Sequence, residues 1–253
     1  MATYYNPIAP GDGLVLALDA KNPKSYPGTG NTWYNLVDGV GNATKQGSTG
    51  LSTWNSNGYF EHRPSNYFGA TNSSSSAPNS GGCWWEVPSA GSLSPGGSGW
   101  SVGGWLRVIG DQTGNGTGWF HKQGSGDERG IHLEPIGGTF RANGTNGWSQ
   151  INYNINNTGV WAHYFFVFTQ TSGTYGTDTG NLKFYVNGSL VVEDTAFTPR
   201  VDNTGASIYL GRRNGHLRHF LNGDISSYYY YRSSLSANNV YINFSSTRER
   251  FGI

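Results

Sequence analysis

The stretch Asn181-Leu-Lys-Phe-Tyr-Val-Asn-Gly-Ser-Leu-Val-Val192 decides the fold class. Apolar side chains alternate with other residues on its first arm, and apolar residues return after a central Asn-Gly pair. Asn-Gly between two such runs favours a type I′ turn, because both central residues of that turn need positive φ. We therefore predict an antiparallel hairpin in which Val186 lies opposite Ser189 and Phe184 lies opposite Val191.

The composition extends this strand-forming character to the whole chain. Of its 253 residues, 39 are Gly, 15% are aromatic and only 12% carry a charge. Gly, Asn, Ser and Thr are poor in helix interiors, whereas aromatic and β-branched residues suit a pleated surface. The aromatic content also excludes disorder, since it provides apolar surface for a core. The composition predicts a single all-β domain, an antiparallel β-sandwich.

Further strand candidates lie on both sides of the hairpin, and Val160–Thr169 is apolar on both faces, which indicates a central strand. Ser236 is suited to cap one short helix over Ala237–Phe244. We predict an extended N-terminal arm over residues 1–13, long loops over 70–82 and 89–99, and one domain over 14–253. The other predicted strands are Leu14–Leu18, Cys83–Val87, Trp100–Ile109, Gly118–Lys122, Gly130–Glu134, Thr139–Ala142, Ser149–Ile155, Ser207–Gly211 and Gly223–Arg232.

Charge and cysteine content exclude several classes of function. A net charge of +1 provides no long-range field for nucleic acid or an anionic membrane. The single cysteine, Cys83, excludes an internal disulfide, and we interpret it as a small buried side chain beside two tryptophans. The N-terminus has no basic region followed by an apolar stretch, which favours synthesis without export. We expect no nucleic-acid partner, no membrane segment and no cofactor.

Three segments, in order, resemble the laminin-G-like, concanavalin A-like jelly roll. They are Trp100–Val108, then Trp161-Ala-His with Leu182–Gly188, then Ile208-Tyr-Leu-Gly211 leading to Phe220–Ile225. The ending Tyr231-Arg-Ser-Ser-Leu-Ser-Ala is similar to the strand and short helix that close domains of that family. The resemblance implies a jelly roll with one short C-terminal helix.

The N-terminal part resembles a narrower group, the jelly-roll proteins carried in virions of tailed phages, especially marine and cyanobacterial ones. The segments concerned are Asp12–Ala20, Asn22–Gly30 and Thr32–Leu36. After Leu36 the chain departs from that pattern, reading Val37-Asp-Gly-Val-Gly-Asn42 in place of a Ser-Gly-Asn-Gly-Asn type of turn. The resemblance implies localisation in the virion, as a structural surface protein of the capsid, tail or fibre. Its partners would be other virion proteins and further copies of the chain.

We expect no enzymatic activity. Glycosidases of this fold carry paired carboxylates on one strand face, and no acidic pair occurs here at positions i and i+2. The adjacent pairs Asp127-Glu128 and Glu193-Asp194 would point to opposite faces of a strand. Carboxylates from different strands could still meet, so a glycoside hydrolase remains a further alternative.

The densest polar cluster is Arg212-Arg-Asn-Gly-His-Leu-Arg-His219. Arginines grip carboxylates and phosphates through two parallel hydrogen bonds, and histidines add pH dependence. The cluster is therefore our candidate ligand site, and it favours a glycan-binding host-attachment module as the alternative function. A solvated loop or a subunit contact is the plainer interpretation. The candidate residues are Arg212, Arg213, His216, Arg218 and His219.

Aromatic pairs are candidates for protein interfaces. In Tyr228-Tyr-Tyr-Tyr231, strand alternation places Tyr229 and Tyr231 towards the core beside Ile225 and leaves Tyr228 and Tyr230 outward. Outward tyrosines suit interfaces, because they bring contact area at low entropic cost. We predict interface roles for these two and for Tyr4 and Tyr5 of the arm. Trp84-Trp85 also permits sugar stacking, although a core or interface position is favoured.

The resemblance also raises calcium, since related jelly rolls often bind it at the rim of the sandwich. The sequence has no acidic loop of the EF-hand type. Asp19, Asp38 and Asp224 are candidates only by exclusion, and Asp19 is equally suited to cap a turn. No metal site is predicted.

Overall fold

A computed structural model of the protein describes two antiparallel sheets and one short helix, which confirms the predicted fold class. Residues 1–12 of the predicted arm and most of the two predicted loops lie outside its described residues. The described ranges are 13–38, 41–64, 82–89, 98–109, 118–123, 130–136, 139–144, 147–155, 159–173, 179–199, 206–213 and 220–253.

Seventeen strands are described, in chain order β1 Leu14–Asp19, β2 Thr32–Trp33, β3 Ala43–Gly47, β4 Ser52–Asn55, β5 Tyr59–His62, β6 Cys83–Val87, β7 Gly99–Val108, β8 Phe120–Gln123, β9 Gly130–Ile136, β10 Thr139–Gly144, β11 Gly147–Asn154, β12 Trp161–Ser172, β13 Thr179–Val186, β14 Ser189–Phe197, β15 Ile208–Leu210, β16 Gly223–Ile225 and β17 Ser227–Tyr231. The helix α1 spans Ala237–Ser245, and short 3-10 turns span Thr49–Leu51 and Arg248–Phe251. Within the described ranges, no helix combines the length and the apolar character that crossing a lipid bilayer requires.

The strands form a nine-stranded and an eight-stranded sheet. In the first sheet the order β14-β13-β12-β7 continues through β16, β5 and β4, while β17 pairs with another part of β7 and carries β1 on its far side. The second sheet has the order β11-β10-β9-β8-β15-β6-β3-β2. Strand β12 lies between β13 and β7, so the prediction of a central strand there is confirmed.

The hairpin between β13 and β14 follows the prediction up to one residue. The Asn-Gly turn has φ values of 50° and 77°, as a type I′ turn requires. Val186 lies opposite Ser189 as predicted, but Phe184 lies opposite Val192 rather than Val191. The register shift between Phe184 and the next pair makes Val191 an additional residue, a β-bulge that strand alternation did not predict.

The core between the two sheets consists largely of packed aromatic rings. Phe60 of the first sheet has its ring centroid 4.7 Å from that of Trp85 and 4.8 Å from that of Trp33, both in the second sheet. Such contacts contribute about 0.5–1.5 kcal/mol each beyond the burial of apolar area. The two sheets are therefore held together by aromatic side chains, the residue type whose high content had indicated a packed core.

The C-terminal segment covers part of the outer face of the first sheet. Ser236 caps α1 by accepting a hydrogen bond from the Asn239 amide at 3.1 Å, as predicted. The ring of Phe251 stacks on Trp105 with centroids 4.0 Å apart, and the Trp105 indole donates to the Thr247 hydroxyl at 2.8 Å. The predicted short helix is confirmed, and it encloses a second, smaller apolar cluster.

The four consecutive tyrosines occupy both faces of β17, and all of them are buried. Tyr228 and Tyr230 point into the core between the sheets with no exposed surface, and the Tyr228 hydroxyl donates to the Trp119 carbonyl at 2.8 Å. Tyr229 and Tyr231 belong to the smaller cluster near α1. The prediction that Tyr228 and Tyr230 face outward as interface residues is therefore wrong.

A β-bulge explains the inversion of the tyrosine faces. On the strand partnered by β7, Ile225 lies opposite Leu106 but Tyr229 lies opposite Gly103. Four steps along one strand thus match three along the other, so one residue is inserted between β16 and β17. A shift of one residue moves every following side chain to the other face of the sheet.

Two of the buried histidines, His62 and His163, make the stability of the fold sensitive to acid. Burial lowers the pKa of His163 to about 3, since Trp105, Phe165 and Phe244 surround its ring. Burial also lowers the pKa of His62 to about 4, an effect that its hydrogen bond to the Cys83 carbonyl partly opposes. Both rings are therefore neutral in the folded protein above pH 5.

We predict that the free energy of unfolding decreases as the pH falls below about 6.5, because only the unfolded histidines then take up protons. At pH 5 each histidine should cost about 2 kcal/mol relative to pH 7.5. The His163→Phe variant should lose the part of this dependence that His163 contributes, about 2 kcal/mol between the two pH values, as measured by urea unfolding. An unchanged dependence in that variant would contradict the assignment.

Candidate functional site

The predicted arginine cluster is only partly described, and its described members are buried. Arg212 and Arg213 are 6% and 5% exposed, while His216, Arg218 and His219 lie outside the described residues. The Arg212 guanidinium lies 4.1 Å from the ring centroid of Trp84 on the outer face of the second sheet. The prediction that these two guanidinium groups are presented to a ligand is therefore wrong. For Arg212 the physical reason is its cation–π contact with the ring of Trp84.

Cys83 is buried, as the sequence indicated, and it is not arranged for catalysis. Burial raises the pKa of its thiol to about 11, although the charge of Lys45 acts in the opposite direction. His62 contacts the backbone carbonyl of Cys83 through its ring nitrogen rather than the thiol. Trp84 and Trp85 are buried as well, so they are not a sugar-stacking surface.

A different group of polar and aromatic side chains lies on the outer face of the first sheet. Across the neighbouring strands, Glu61 lies opposite Asp224, Asp224 opposite Arg107, and Arg107 opposite Trp161. These side chains form a continuous row over four strands, beside the part of the sheet that the C-terminal segment covers. We call the following group the Arg107 patch: Tyr59, Glu61, Arg63, Arg107, Trp161 and Asp224.

Two partly exposed rings flank the guanidinium at the centre of the patch. The ring centroids of Tyr59 and Trp161 are 5.3 Å apart with the planes at 67°. The Arg107 guanidinium carbon lies 5.3 Å from the first ring and 5.2 Å from the second. Phe251 borders the patch, with its centroid 4.8 Å from that of Trp161. The rings are thus held at a fixed angle by their neighbours.

Asp224 anchors the patch from below. Its side chain has no exposed surface, and Oδ2 accepts from Nε of Arg107 at 2.5 Å while Oδ1 lies 2.7 Å from Nη2 of Arg63. Burial lowers the pKa of the Arg107 guanidinium, but the hydrogen bond and charge of Asp224 outweigh this and raise it. Charge-assisted bonds of this kind hold their side chains in one geometry.

Glu61 is the acidic group of the patch that reaches the surface. Its side chain is 32% exposed, and Oε1 accepts a hydrogen bond from the side-chain amide of Asn55 at 3.0 Å. Oε2 lies 3.9 Å from Nη2 of Arg63, which is beyond hydrogen-bond distance. The hydrogen bond to Oε1 therefore orients the carboxylate, and Oε2 is left to accept hydrogen bonds from a ligand.

The sequence contained a signal for this patch that our strand assignment did not use. Tyr59-Phe60-Glu61-His62 alternates, with Phe60 and His62 buried and the other two partly exposed. Strand alternation likewise places Arg107 on the face of its strand opposite Val108. What alternation alone could not supply was the strand order that brings these segments together.

Two of the three aspartates considered for calcium, Asp19 and Asp224, have protein partners instead. Asp19 caps a turn by accepting from the Lys21 amide at 2.9 Å, and it pairs with Arg250 at 2.8 Å. Asp224 is held by two arginines, as described above. No group of three or more His, Cys, Asp or Glu side chains suited to a metal occurs in the described part of the chain.

A laminin G family model, described as the concanavalin A-like lectin/glucanases superfamily, matches residues 79–241. The chain belongs to this superfamily. No curated protein sequence matches the chain.

Solved structures share the fold of this superfamily member at low identity. Domain 4 of AbnA, a GH43 extracellular arabinanase from Geobacillus stearothermophilus solved with arabinotriose, is 18% identical with a TM-score of 0.55. That match covers 90% of this chain and 97% of the other. Trypanosoma rangeli sialidase in complex with sialic acid is 14% identical with a TM-score of 0.60, and the match covers 96% of this chain.

The botulinum neurotoxin serotype D binding domain is 15% identical with a TM-score of 0.57, over 93% of this chain. The match covers 52% of the toxin domain and 34% of the sialidase. This superfamily member therefore spans about half of the toxin binding domain and about one third of the sialidase. At these identities the likeness shows the fold alone.

We predict that Asp224→Asn destabilises the protein by about 3 kcal/mol, because it leaves two guanidinium groups without their buried counter-charge. The measurement is urea unfolding at pH 7.5. Glu193→Gln is the control, since its pair with Lys183 is 3.6 Å long and solvent-exposed on both sides. The control should cost less than about 0.5 kcal/mol. Equal losses in the two variants would show that Asp224 does not anchor the patch.

Proposed function

We propose that this chain is a non-enzymatic carbohydrate-binding β-sandwich and that the Arg107 patch is its binding surface. The observation that carries the proposal is the pair of partly exposed rings, Tyr59 and Trp161, held at an angle over Arg107. The C–H face of a sugar is attracted to the negative face of an aromatic ring. Glu61 lies at the edge of the same patch, where it accepts hydrogen bonds from sugar hydroxyls.

The arrangement of the two carboxylates favours binding over hydrolysis. Glu61 and Asp224 do meet across neighbouring strands, which was the geometry that left a glycosidase open. Hydrolysis needs both carboxyl groups to reach the glycosidic bond, one as acid and one as nucleophile or base. Asp224 is fully buried, and each of its oxygens contacts a guanidinium. Its carboxylate is therefore already occupied.

The fold relatives support a carbohydrate ligand. The AbnA domain, which this chain covers almost completely, was solved with arabinotriose, and the sialidase with sialic acid. Because the AbnA domain has the same extent as this chain and was solved with a sugar, a carbohydrate is the natural first choice of ligand here.

We predict that Tyr59→Ala weakens glycan binding at least tenfold, because it removes one of the two rings. A glycan array finds the ligand, and isothermal titration calorimetry measures the affinity. Tyr34→Ala is the matched control, since Tyr34 is a 44% exposed tyrosine outside the patch. Equal affinity in both variants, or no glycan bound by the native protein, would contradict the proposal. Sugar release that disappears in Glu61→Gln would contradict its non-enzymatic part.

We further infer that the protein is displayed on the surface of a tailed-phage virion, in the capsid, tail or fibre, where a glycan site serves attachment to the host. The support is the N-terminal resemblance, and the resembling segments form one unit. Asn35 accepts from the Ala17 amide at 2.8 Å and donates to the Val15 carbonyl at 3.1 Å. Ser25, from the segment between them, donates to the Tyr34 carbonyl at 2.6 Å.

We predict that mass spectrometry of purified virions detects this protein in many copies per particle. Its presence only in the lysate of infected cells would refute the virion role. A truncation of residues 1–12 tests the arm that carries Tyr4 and Tyr5. It retains Gly13, whose carbonyl accepts from the Arg232 amide at 2.6 Å, and should incorporate poorly. Normal incorporation would refute the interface role of the arm.

A further inference from the structure

We infer that the Arg107 patch selects neutral sugars and discriminates against sugars that carry a carboxylate, sulfate or phosphate. This inference rests on the proposed glycan binding and names the class of ligand for the same surface. It follows from how the charges of the patch are distributed between its buried and its exposed side.

The cationic groups of the patch are engaged by the protein itself. Arg63 donates through Nη1 to the carbonyls of His62 and Gly223, at 3.0 and 3.2 Å, and its Nη2 faces Asp224. Arg107 directs Nε and Nη2 at Asp224 and lies against the rings of Tyr59 and Trp161. These contacts leave some N–H donors of each guanidinium unused, but an anionic sugar would compete with the Asp224 carboxylate for the positive charge of both groups.

Arg63 and Glu61 are the more exposed charged groups of the patch, 41% and 32% exposed, and Glu61 is the acceptor of the two. Its Oε1 accepts from the side-chain amide of Asn55, and its Oε2 lies 3.9 Å from Nη2 of Arg63. A carboxylate of this kind accepts hydrogen bonds and donates none. The neighbouring hydroxyls of a neutral sugar supply such donors. An acidic substituent at the same place would meet a like charge.

The formal charges within the patch also cancel. Arg63 and Arg107 contribute two positive charges, and Glu61 and Asp224 contribute two negative ones. The patch therefore provides no net attraction for an anion, and binding should depend little on salt. What remains for recognition is ring stacking together with hydrogen bonds to the exposed carboxylate.

The test compares matched neutral and acidic probes: galactotriose against the galacturonate trimer, and lactose against sialyllactose. Arabinotriose and xylotriose extend the neutral set. Affinities are measured by calorimetry at about 0.05 M and 0.5 M NaCl, where surface charge effects differ most. We expect neutral probes to bind at least tenfold more tightly than their acidic counterparts and to change less than twofold with salt.

Two variants, at glutamates of equal exposure, test whether Glu61 causes the preference for neutral over acidic sugars. Glu61→Gln should weaken binding of neutral probes several-fold and reduce the difference in affinity between neutral and acidic probes. Glu193→Gln should change neither, because Glu193 is also 32% exposed and paired with a cation, but lies on β14 away from the patch.

Each outcome bears on one of the two proposals. Preferential binding of acidic probes that is lost in Tyr59→Ala overturns the neutral selectivity and leaves glycan binding intact. Neutral binding that Glu61→Gln does not change overturns the role of the carboxylate. Binding of no probe and no array glycan overturns the proposed function itself.

Discussion

The extra residue inserted between β16 and β17 is the constraint on which the rest of the structure depends. It requires the backbone of that strand to approach β7 closely at Gly104, where any Cβ atom would collide with the Ser227 carbonyl. Before the bulge, Asp224 points outward and anchors the charged row. After it, Tyr228 and Tyr230 turn inward and fill the core. One backbone irregularity therefore determines both the binding surface and the packing between the sheets.

The parts of the fold that depend on local sequence could be predicted, and those that depend on strand pairing could not. The Asn-Gly turn, the Ser236 cap and the apolar β12 strand each carry their signal within a few residues. The tyrosine faces were inverted because a bulge has no distinctive sequence here. The Arg107 patch was missed because Glu61, Arg107, Trp161 and Asp224 meet only through the order of the strands. Short polar strands such as β3 and β4 lack the apolar alternation that would reveal them.

The two outer faces of the sandwich differ in character. On the second sheet, the guanidinium of Arg212, which was predicted to bind a ligand, packs against the ring of Trp84 instead. On the first sheet, the C-terminal segment buries Trp105 and stops beside Trp161, so that one ring is enclosed and the next remains partly exposed. The same residue, Phe251, thus marks the boundary between the covered and the available part of that sheet.

Strand β1 has a consequence for how the chain reaches this structure. Its strand partner is β17, with Leu14 opposite Tyr231, and Asp19 is paired with Arg250 near the opposite end of the chain. Strand β1 must therefore wait until β17 has been synthesised. Contacts between such distant segments slow folding, since the entropic cost of closing the loop is met before any contact is gained. A nascent chain stalled before β17 would hold β1 as an unpaired apolar strand, which makes synthesis of β17 a condition for avoiding aggregation.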